Sequence, residues 1–310
     1  MAEAGTLAGI QTPGGTGALR LAADLYAQAR PGARIWVGTP TWPNHVPIFS
    51  ASGLKVEYHP FFNPKLSGID FDAMIDRLRL AHVGDLVLLH GCCHNPTGLQ
   101  FSEVEWRAIA DLCAERGIVP LIDLAYQGLG DGWEADAAGM RQLLARVPDA
   151  MIAYSCDKNF GLYRERVGAL WVMNRDASTR GRVWQNMLVL ARSLWSMPPD
   201  HGAAIVRIIL EDAALTAEWR DELQAMRGRL NDVRRLVAAH PGLEAIGRQR
   251  GMFGLLPVAP DDVVALRRDH GIYMAGSGRI NIAGLTPATI ERFVTAITPY
   301  LPHTLELQNG

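Results

Sequence analysis

Short apolar segments alternate with amphipathic stretches between residues 34 and 173, and this alternation constrains the fold more than any other feature of the chain. The segments are almost continuously apolar, which is typical of strands covered on both faces. The pattern predicts an α/β fold with a mostly parallel sheet sandwiched by helices. The six expected strands are 35–37, 55–58, 86–90, 119–122, 151–154 and 169–172.

Three helices have recognisable starts. Ser102 followed by Glu105 has the spacing of a capping box, and Gly117 follows the expected end of that helix. Asp70 and Thr286 are expected to cap two more helices, the second with a proline at its first position.

The sequence pattern changes after about residue 210. Apolar residues then recur every three or four positions up to Pro241, which indicates one long helix. Beyond it Arg279 alternates with Ile280 and Ile282, so that the arginine faces away from the isoleucines if the segment is extended. We expect two domains, a large one over residues 1–212 and a smaller C-terminal α+β domain over 213–310.

Composition excludes several classes of function. Lys+Arg 30 against Asp+Glu 32 gives a net charge of −2, without the basic surplus that binds nucleic acid. No apolar run is long enough to cross a membrane, and the first residues lack the charged start of a secretory signal. Four cysteines are too few for a disulfide scaffold of 310 residues. We therefore expect a cytoplasmic protein with reduced thiols and no nucleic-acid or membrane partner.

Polar side chains follow four of the expected strands. In an open α/β sheet, ligands bind beyond the carboxyl ends of the strands. The sequence therefore predicts one cleft that combines stacking, hydrogen-bonding, acidic and amine groups. The segments that would contribute to it are 42–45, 90–95, 123–126 and 155–158.

A glycine cluster, Gly14-Gly15-Thr16-Gly17, precedes an amphipathic helix and is a candidate phosphate cradle. Most short glycine clusters are only tight turns, so the cluster alone does not decide the matter. A dinucleotide-binding Rossmann fold is disfavoured, because the spacing does not fit and no clear strand precedes the turn.

A second cluster, of His90, Cys92, Cys93 and His94, has no standard zinc spacing. We therefore expect no metal.

The segment from Ser155 to Gly168, which reads SCDKNFGLYRERVG, resembles the aspartate/aromatic amino acid aminotransferases, which are class I, fold type I, pyridoxal-phosphate (PLP) enzymes. The resemblance extends over nearly the whole chain from residue 11 to about 299. It implies the PLP-dependent transferase fold. Further matching blocks are 11–20, 43–45, 92–98, 123–128, 192–199, 251–253 and 278–284.

The resemblance implies a role for each residue around the cofactor ring. Lys158 would form the Schiff base with PLP and later move the substrate's α-proton. Asp123 would keep the ring nitrogen protonated, and His45 would support that aspartate. Tyr126 and Asn95 would bind the ring hydroxyl.

The resemblance also implies how the phosphate and the ring faces are held. Gly15, Thr16, Ser155 and Arg166 match the phosphate holders of the family, and Trp42 matches the aromatic side chain stacked on the ring.

Two arginines are expected to bind the substrate, together with Trp42 and Asn95. Arg279 matches the residue that grips the α-carboxylate, and Arg192 matches the one that reaches a distal carboxylate across a homodimer interface. The implied reaction is amino-group exchange between an L-amino acid, aspartate or aromatic, and the 2-oxoglutarate/glutamate pair.

Two departures from the family pattern leave alternatives open. The chain is expected to lack the family's N-terminal segment, and Asp157 stands where a small hydroxyl residue usually precedes the lysine. A carboxylate there would favour the protonated amine, unless the two adjacent side chains point to opposite faces. The alternatives are a truncated, weakly active or non-catalytic PLP-binding relative, and a PLP enzyme of another reaction type, a β-lyase or decarboxylase.

Overall fold

The computed structural model describes residues 5–302, and the elements below lie within that range. The strands are β1 (Leu7–Pro13), β2 (Arg34–Thr39), β3 (Lys55–Pro60), β4 (Phe62–Asn63), β5 (Gly68–Ile69), β6 (Leu86–His90), β7 (Val119–Leu124), β8 (Asp149–Ser155), β9 (Val167–Asn174), β10 (Phe253–Leu255) and β11 (Arg279–Asn281). The helices are α1 (Gly14–Ala29), α2 (His45–Ala51), α3 (Phe71–Leu78), α4 (Glu103–Arg116), α5 (Ala135–Leu144), α6 (Ala177–Leu194), α7 (Asp200–Glu211), α8 (Ala213–Ala238), α9 (Pro260–His270) and α10 (Pro287–Ile297).

A seven-stranded sheet in the order β1-β9-β8-β7-β6-β2-β3 forms the centre of the described chain. The pairs from β8 through to β3 are parallel, and β9 is antiparallel to both of its neighbours. The mostly parallel sheet expected from the sequence is therefore confirmed. Each of the six expected strands is present, β6 with the predicted ends and most of the others longer by a few residues.

The strand β1 corrects one expectation. We expected no clear strand before the glycine cluster, yet β1 ends at Pro13, directly before it. This strand pairs with β9 from Leu7 opposite Met173 to Pro13 opposite Val167. Its apolar run, LAGI, is short, and all its residues except Thr12 are only half-buried, so this strand at the edge of the sheet lacks the strong pattern of the central strands.

Helices cover both faces of the sheet. Successive residues of a strand point to opposite faces, and β6 shows this directly. Leu86 and Leu88 pack in a cluster with α1, α2 and α6, whereas Val87 and Leu89 pack with α3, α4 and α5. The uninterrupted apolar sequence of β6 is thus explained by burial on both sides.

The expected helix starts are present, with different capping chemistry. At α4 the Ser102 side chain accepts from the Glu105 amide while the Glu105 side chain accepts from the Ser102 amide, which confirms the capping box. Asp70 precedes α3 without a side-chain capping bond. At α10 the Thr286 amide donates to Thr289 Oγ1 at 3.0 Å.

The C-terminal part of the described chain begins with the long helix α8, as the periodicity predicts. The Asp212 side chain caps it by accepting from the amides of Ala214 and Leu215. The antiparallel pair β10-β11 lies in the same apolar cluster as α8, α9 and α10. Within residues 5–302, no helix is both long and apolar enough to cross a membrane.

Candidate active site

A cavity of about 210 Å³ lies at the carboxyl ends of β7 and β8, beside the start of α1 and the pair β10-β11. Most of the side chains expected to bind cofactor or substrate line this one space. In particular, Lys158 and Asp123 share it. Its lining residues are Gly15, Thr16, Leu19, Trp42, Asn95, Asp123, Ala125, Tyr126, Ser155, Asp157, Lys158, Phe253 and Arg279.

Asp123 is held by His45, which lies behind the cavity rather than in its wall. His45 Nε2 is 3.1 Å from Asp123 Oδ2, and His45 Nδ1 is 2.7 Å from Thr41 Oγ1. Burial by itself would raise the pKa of Asp123, but the hydrogen bond to His45 and the nearby charges of His45 and Lys158 outweigh it. The pKa therefore lies below its usual value, and the carboxylate stays ionised.

Tyr126, Asn95 and Arg279 form a chain of polar contacts across the cavity. Asn95 Nδ2 donates to the Tyr126 hydroxyl at 3.4 Å, and Arg279 Nη1 donates to Asn95 Oδ1 at 3.0 Å. The Arg279 guanidinium also lies over the Phe253 ring, 4.7 Å from its centroid. Burial and the charge of Asp123 raise the pKa of Tyr126, so its hydroxyl keeps its proton and can donate it in a hydrogen bond.

Lys158 and Asp157 belong to the turn that follows β8, and they face the same cavity. The Lys158 Nζ lies 5.4 Å from the Tyr126 ring centroid and 4.0 Å from Asp157 Oδ2. The suggestion that adjacent side chains would point to opposite faces is wrong here, because the strand ends at Ser155 and only an extended backbone alternates.

A cradle for an anion is formed by the start of α1 and the end of β8. Gly15 and Thr16 lie in the first turn of α1, where free amides and the helix dipole favour negative charge. A Cβ on Gly15 would lie 3.1 Å from the Ser155 Cβ, so the backbone approaches this strand end closely. Arg166 lies at the border of the cradle, with Nη1 2.6 Å from Asp157 Oδ2.

Trp42 and Arg192 differ in their placement. Trp42 lines the cavity and meets the His45 ring edge-on, with centroids 5.2 Å apart. Arg192 lies on an exposed part of α6, outside the cavity. Its expected role needs a second subunit and stays a prediction.

Sequence reasoning missed two residues that shape the site. Phe253 lies in a block that matches the family, but it was not expected to face the cavity. Arg234 on α8 is fully buried and donates to the carbonyls of Arg250, Gly251 and Phe253 at 3.1, 2.8 and 2.6 Å. The available signal was the position of Arg234 on the apolar stripe of Leu230, Val233 and Val237, since a charged side chain on a buried helix face needs several hydrogen-bond partners.

Two groups of metal-ligand residue types occur in the described chain. One is His45, His90 and Asp123, in which His45 Nε2 is bonded to Asp123. The other is Cys92, Cys93 and Asp136, in which the carboxylate accepts three backbone amides, from residues 128, 130 and 131. The carboxylate of each group is thus already engaged in hydrogen bonds within the protein. The absence of a metal stays a prediction.

Comparison with known proteins gives the family. The profile of the aminotransferases of class I and II matches residues 4–297. The chain belongs to this family. It is 52% identical over 291 residues to the tyrosine aminotransferase of Rhizobium meliloti, covering 92% of this chain and 75% of that protein. It is 43% identical over 298 residues to the aspartate aminotransferase of Salmonella typhi, covering 94% of this chain and 75% of that protein.

The structural comparison agrees with the aminotransferase family. The aromatic-amino-acid aminotransferase of Burkholderia pseudomallei, solved covalently bound to pyridoxal phosphate, superposes with a TM-score of 0.93 at 34% identity, covering 97% of this chain and 77% of that chain. The expected family, fold and transaminase class are therefore confirmed.

Proposed function

We propose that this aminotransferase uses PLP, held by Lys158, to exchange an amino group between an aromatic L-amino acid or aspartate and the 2-oxoglutarate/glutamate pair. The observation that carries the proposal is the shared cavity of Lys158, Asp123 and Tyr126, which opens onto the cradle at Gly15 and Ser155. A primary amine, an ionised carboxylate, a hydroxyl donor and an anion cradle are the groups that such a cofactor requires.

When bound, PLP acts as an electron sink for the electrons of a bond broken at the substrate's α-carbon. Asp123 would keep a proton on the ring nitrogen, because its own pKa is held low by His45. Tyr126 and Asn95 would donate to the ring hydroxyl, and Trp42 would stack against the ring.

Lys158 is the base that removes the α-proton of the substrate. Its amine lies 5.4 Å from the Tyr126 ring centroid, and Lys158 and Arg279 line the same cavity. Arg279 fixes the α-carboxylate with two parallel hydrogen bonds, which orients the α-carbon towards the amine.

The remaining cavity surface favours an aromatic substrate. Leu19 and Phe253 supply apolar surface to the cavity, Phe253 directly beneath the Arg279 guanidinium, and the relative from Rhizobium meliloti is named a tyrosine aminotransferase. Aspartate would need a cation for its second carboxylate, and Arg192 is the candidate, supplied by the partner in a homodimer. The exposed apolar side chains of α6 that would lie in such an interface include Trp184, Leu188 and Val189.

Two further assignments belong to the same proposal. The start of α8 at Ala213 agrees with a division into a large domain, residues 1–212, and a small one, residues 213–310. The four cysteines are buried and free, which agrees with a reducing compartment such as the cytoplasm.

Reductive trapping tests the role of Lys158. The chain has three lysines, Lys55, Lys65 and Lys158, and the first two are exposed. Borohydride reduction after PLP addition should fix the cofactor on the peptide that contains Lys158, as read by mass mapping. Lys158→Ala should abolish this adduct and Lys55→Ala should retain it. An adduct confined to Lys55 or Lys65 would refute the assignment.

A single-turnover measurement tests the reaction. The PLP-loaded enzyme mixed with glutamate should release one 2-oxoglutarate per site without further substrate. Release of pyruvate from an amino acid with a β-leaving group, or of carbon dioxide, without any 2-oxo acid exchange would instead indicate a β-lyase or a decarboxylase.

A further inference from the structure

Asp157 forms an ion pair with Arg166, the arginine that is expected to bind the cofactor phosphate. Its Oδ2 lies 2.6 Å from Arg166 Nη1, in a bond between a carboxylate that is 5% exposed and a guanidinium that is 37% exposed. The same arginine nitrogen donates to the Tyr163 carbonyl at 2.9 Å. The main cation of the cradle is therefore already paired with an internal anion.

The other oxygen of this carboxylate has no partner. Asp157 Oδ1 is buried and makes no hydrogen bond, whereas the Asp157 amide donates to Ser155 Oγ at 3.2 Å. A buried carboxylate oxygen without a donor is costly, so this atom marks a place where a donor is missing.

The unpaired oxygen belongs to a residue of the cavity wall beside the cradle. Asp157 lines the cavity together with Gly15, Thr16 and Ser155, and a Cβ on Gly14 would lie 3.2 Å from Asp157 Oδ2 and collide with Arg166. A phosphate bound at the start of α1 would consequently lie against a fixed carboxylate.

The charges around Asp157 come from its own loop. Arg166 and Lys158 are the cations that face it, and Tyr163 and Cys156 are the neighbouring titratable groups. The packed start of α1 contributes glycine and threonine backbone with no acidic residue in its first turn. Two negative groups, the carboxylate and a phosphate, would thus share one arginine.

We propose that Asp157 is a built-in competitor for Arg166, and that the cradle accepts a phosphate together with one extra proton, which the Asp157 carboxylate and the phosphate share. The inference rests on the proposed PLP site. A phosphate ester has its second pKa near 6, so the proton is taken from solvent at neutral pH and above. Binding of a phosphate-bearing ligand is then linked to proton uptake and weakens as pH rises.

The test compares PLP with pyridoxal, which has the same aldehyde and ring but no phosphate. Dissociation constants of both are measured from pH 6 to 9 by absorbance titration of the full-length chain. Both ligands form the same imine with Lys158, so the ratio of the two constants isolates the phosphate. For the unmodified chain the preference for PLP should fall by up to about tenfold for each pH unit above about 7.

Two variants remove the carboxylate. Asp157→Asn keeps the shape and Asp157→Ser restores a small hydroxyl group, and both should raise the preference for PLP about tenfold at pH 8 and flatten its pH dependence. Any effect on Lys158 of losing this neighbouring carboxylate, 4.0 Å from its amine, should be the same for PLP and pyridoxal and should cancel in the ratio. Asp131→Asn is the matched control, because it removes a different acid from an ion pair, with Arg250, away from the cradle. Near-ultraviolet circular dichroism verifies the fold of each variant.

The outcomes separate this inference from the function on which it rests. An unchanged PLP-to-pyridoxal ratio and unchanged pH slope in both folded variants would overturn the role of Asp157 while PLP binding itself stands. If neither the unmodified chain nor Asp157→Ser binds PLP at all, the proposed cofactor site fails, and this inference fails with it.

Discussion

The imidazole of His45 and the carboxylate of Asp123 are joined by a 3.1 Å hydrogen bond at the bottom of the cavity, and both groups are buried. A buried carboxylate would normally take up a proton more readily. Here the histidine reverses that tendency, and the pKa of Asp123 lies below its usual range. The pair therefore keeps a buried negative charge, which suits the protonated ring nitrogen of the proposed cofactor.

Replacing His45 with alanine should lower the activity of the PLP-loaded enzyme. Without the hydrogen bond, burial raises the pKa of Asp123, and a rise of one pKa unit corresponds to about a tenfold loss of activity. We expect a fall of at least this size in kcat and an upward shift of the acid limb of its pH profile. Thr41→Val, which removes only the 2.7 Å contact to His45 Nδ1, should have a smaller effect. Equal kcat and equal acid limbs in His45→Ala and the unmodified enzyme would contradict this role.

Replacing Arg279 with lysine tests recognition of the α-carboxylate. Lysine keeps the charge but loses the planar pair of donors. Loss of one charge-assisted hydrogen bond, worth about 1.5–3 kcal/mol, predicts a decrease in kcat/KM of about 10- to 100-fold. Arg268→Lys, at an arginine exposed on α9, should leave kcat/KM unchanged. A kcat/KM for Arg279→Lys that matches this control would rule the carboxylate contact out.

Much of this arrangement is predictable from the sequence, because parallel strands bring their carboxyl ends to one edge. Asp123 and Lys158 are far apart along the chain, yet Asp123 lies at the carboxyl end of β7 and Lys158 just beyond that of the neighbouring β8, so both reach the same cavity. The ends of β6 were predictable because all five of its residues are buried.

Other features depend on geometry that no apolar pattern encodes. The contact between Asp157 and Arg166 requires the chain to reverse between them, with Gly161 and Arg166 at φ values of 68° and 54°. Strand β1 is specified mainly by its antiparallel partner β9 rather than by its own composition. Both depend on tertiary pairing, which residue periodicity does not report.

Replacing Arg234 with methionine should destabilise the fold near the active site. The guanidinium donates to the carbonyls of Gly251 and Phe253 among others, and its burial lowers its pKa to about 10. Leaving these buried carbonyls without donors should cost about 3 kcal/mol in the free energy of unfolding, measured by urea denaturation. The neighbouring exposed Arg235→Met should cause no measurable change. Equal stabilities of the two variants would show that Arg234 does not tie this loop.

The buried histidine His90 should make the free energy of unfolding depend on pH in the acid range. Burial, followed by the nearby charge of His45, lowers its pKa to about 3, and burial likewise lowers the pKa of His59 to about 4. An unfolded histidine binds a proton below about pH 6.5. Between about pH 6.5 and 3 the unfolded chain therefore holds a proton that the folded chain does not, and stability falls as pH falls, by up to about 1.4 kcal/mol per unit for each such group.

His90→Asn should reduce this slope between pH 6 and 4, measured by urea denaturation at each pH, whereas His82→Asn, at an exposed histidine, should not. If the slopes of His90→Asn and the unmodified chain are the same, His90 is already charged in the folded state, and the buried pocket around it must then contain a compensating anion.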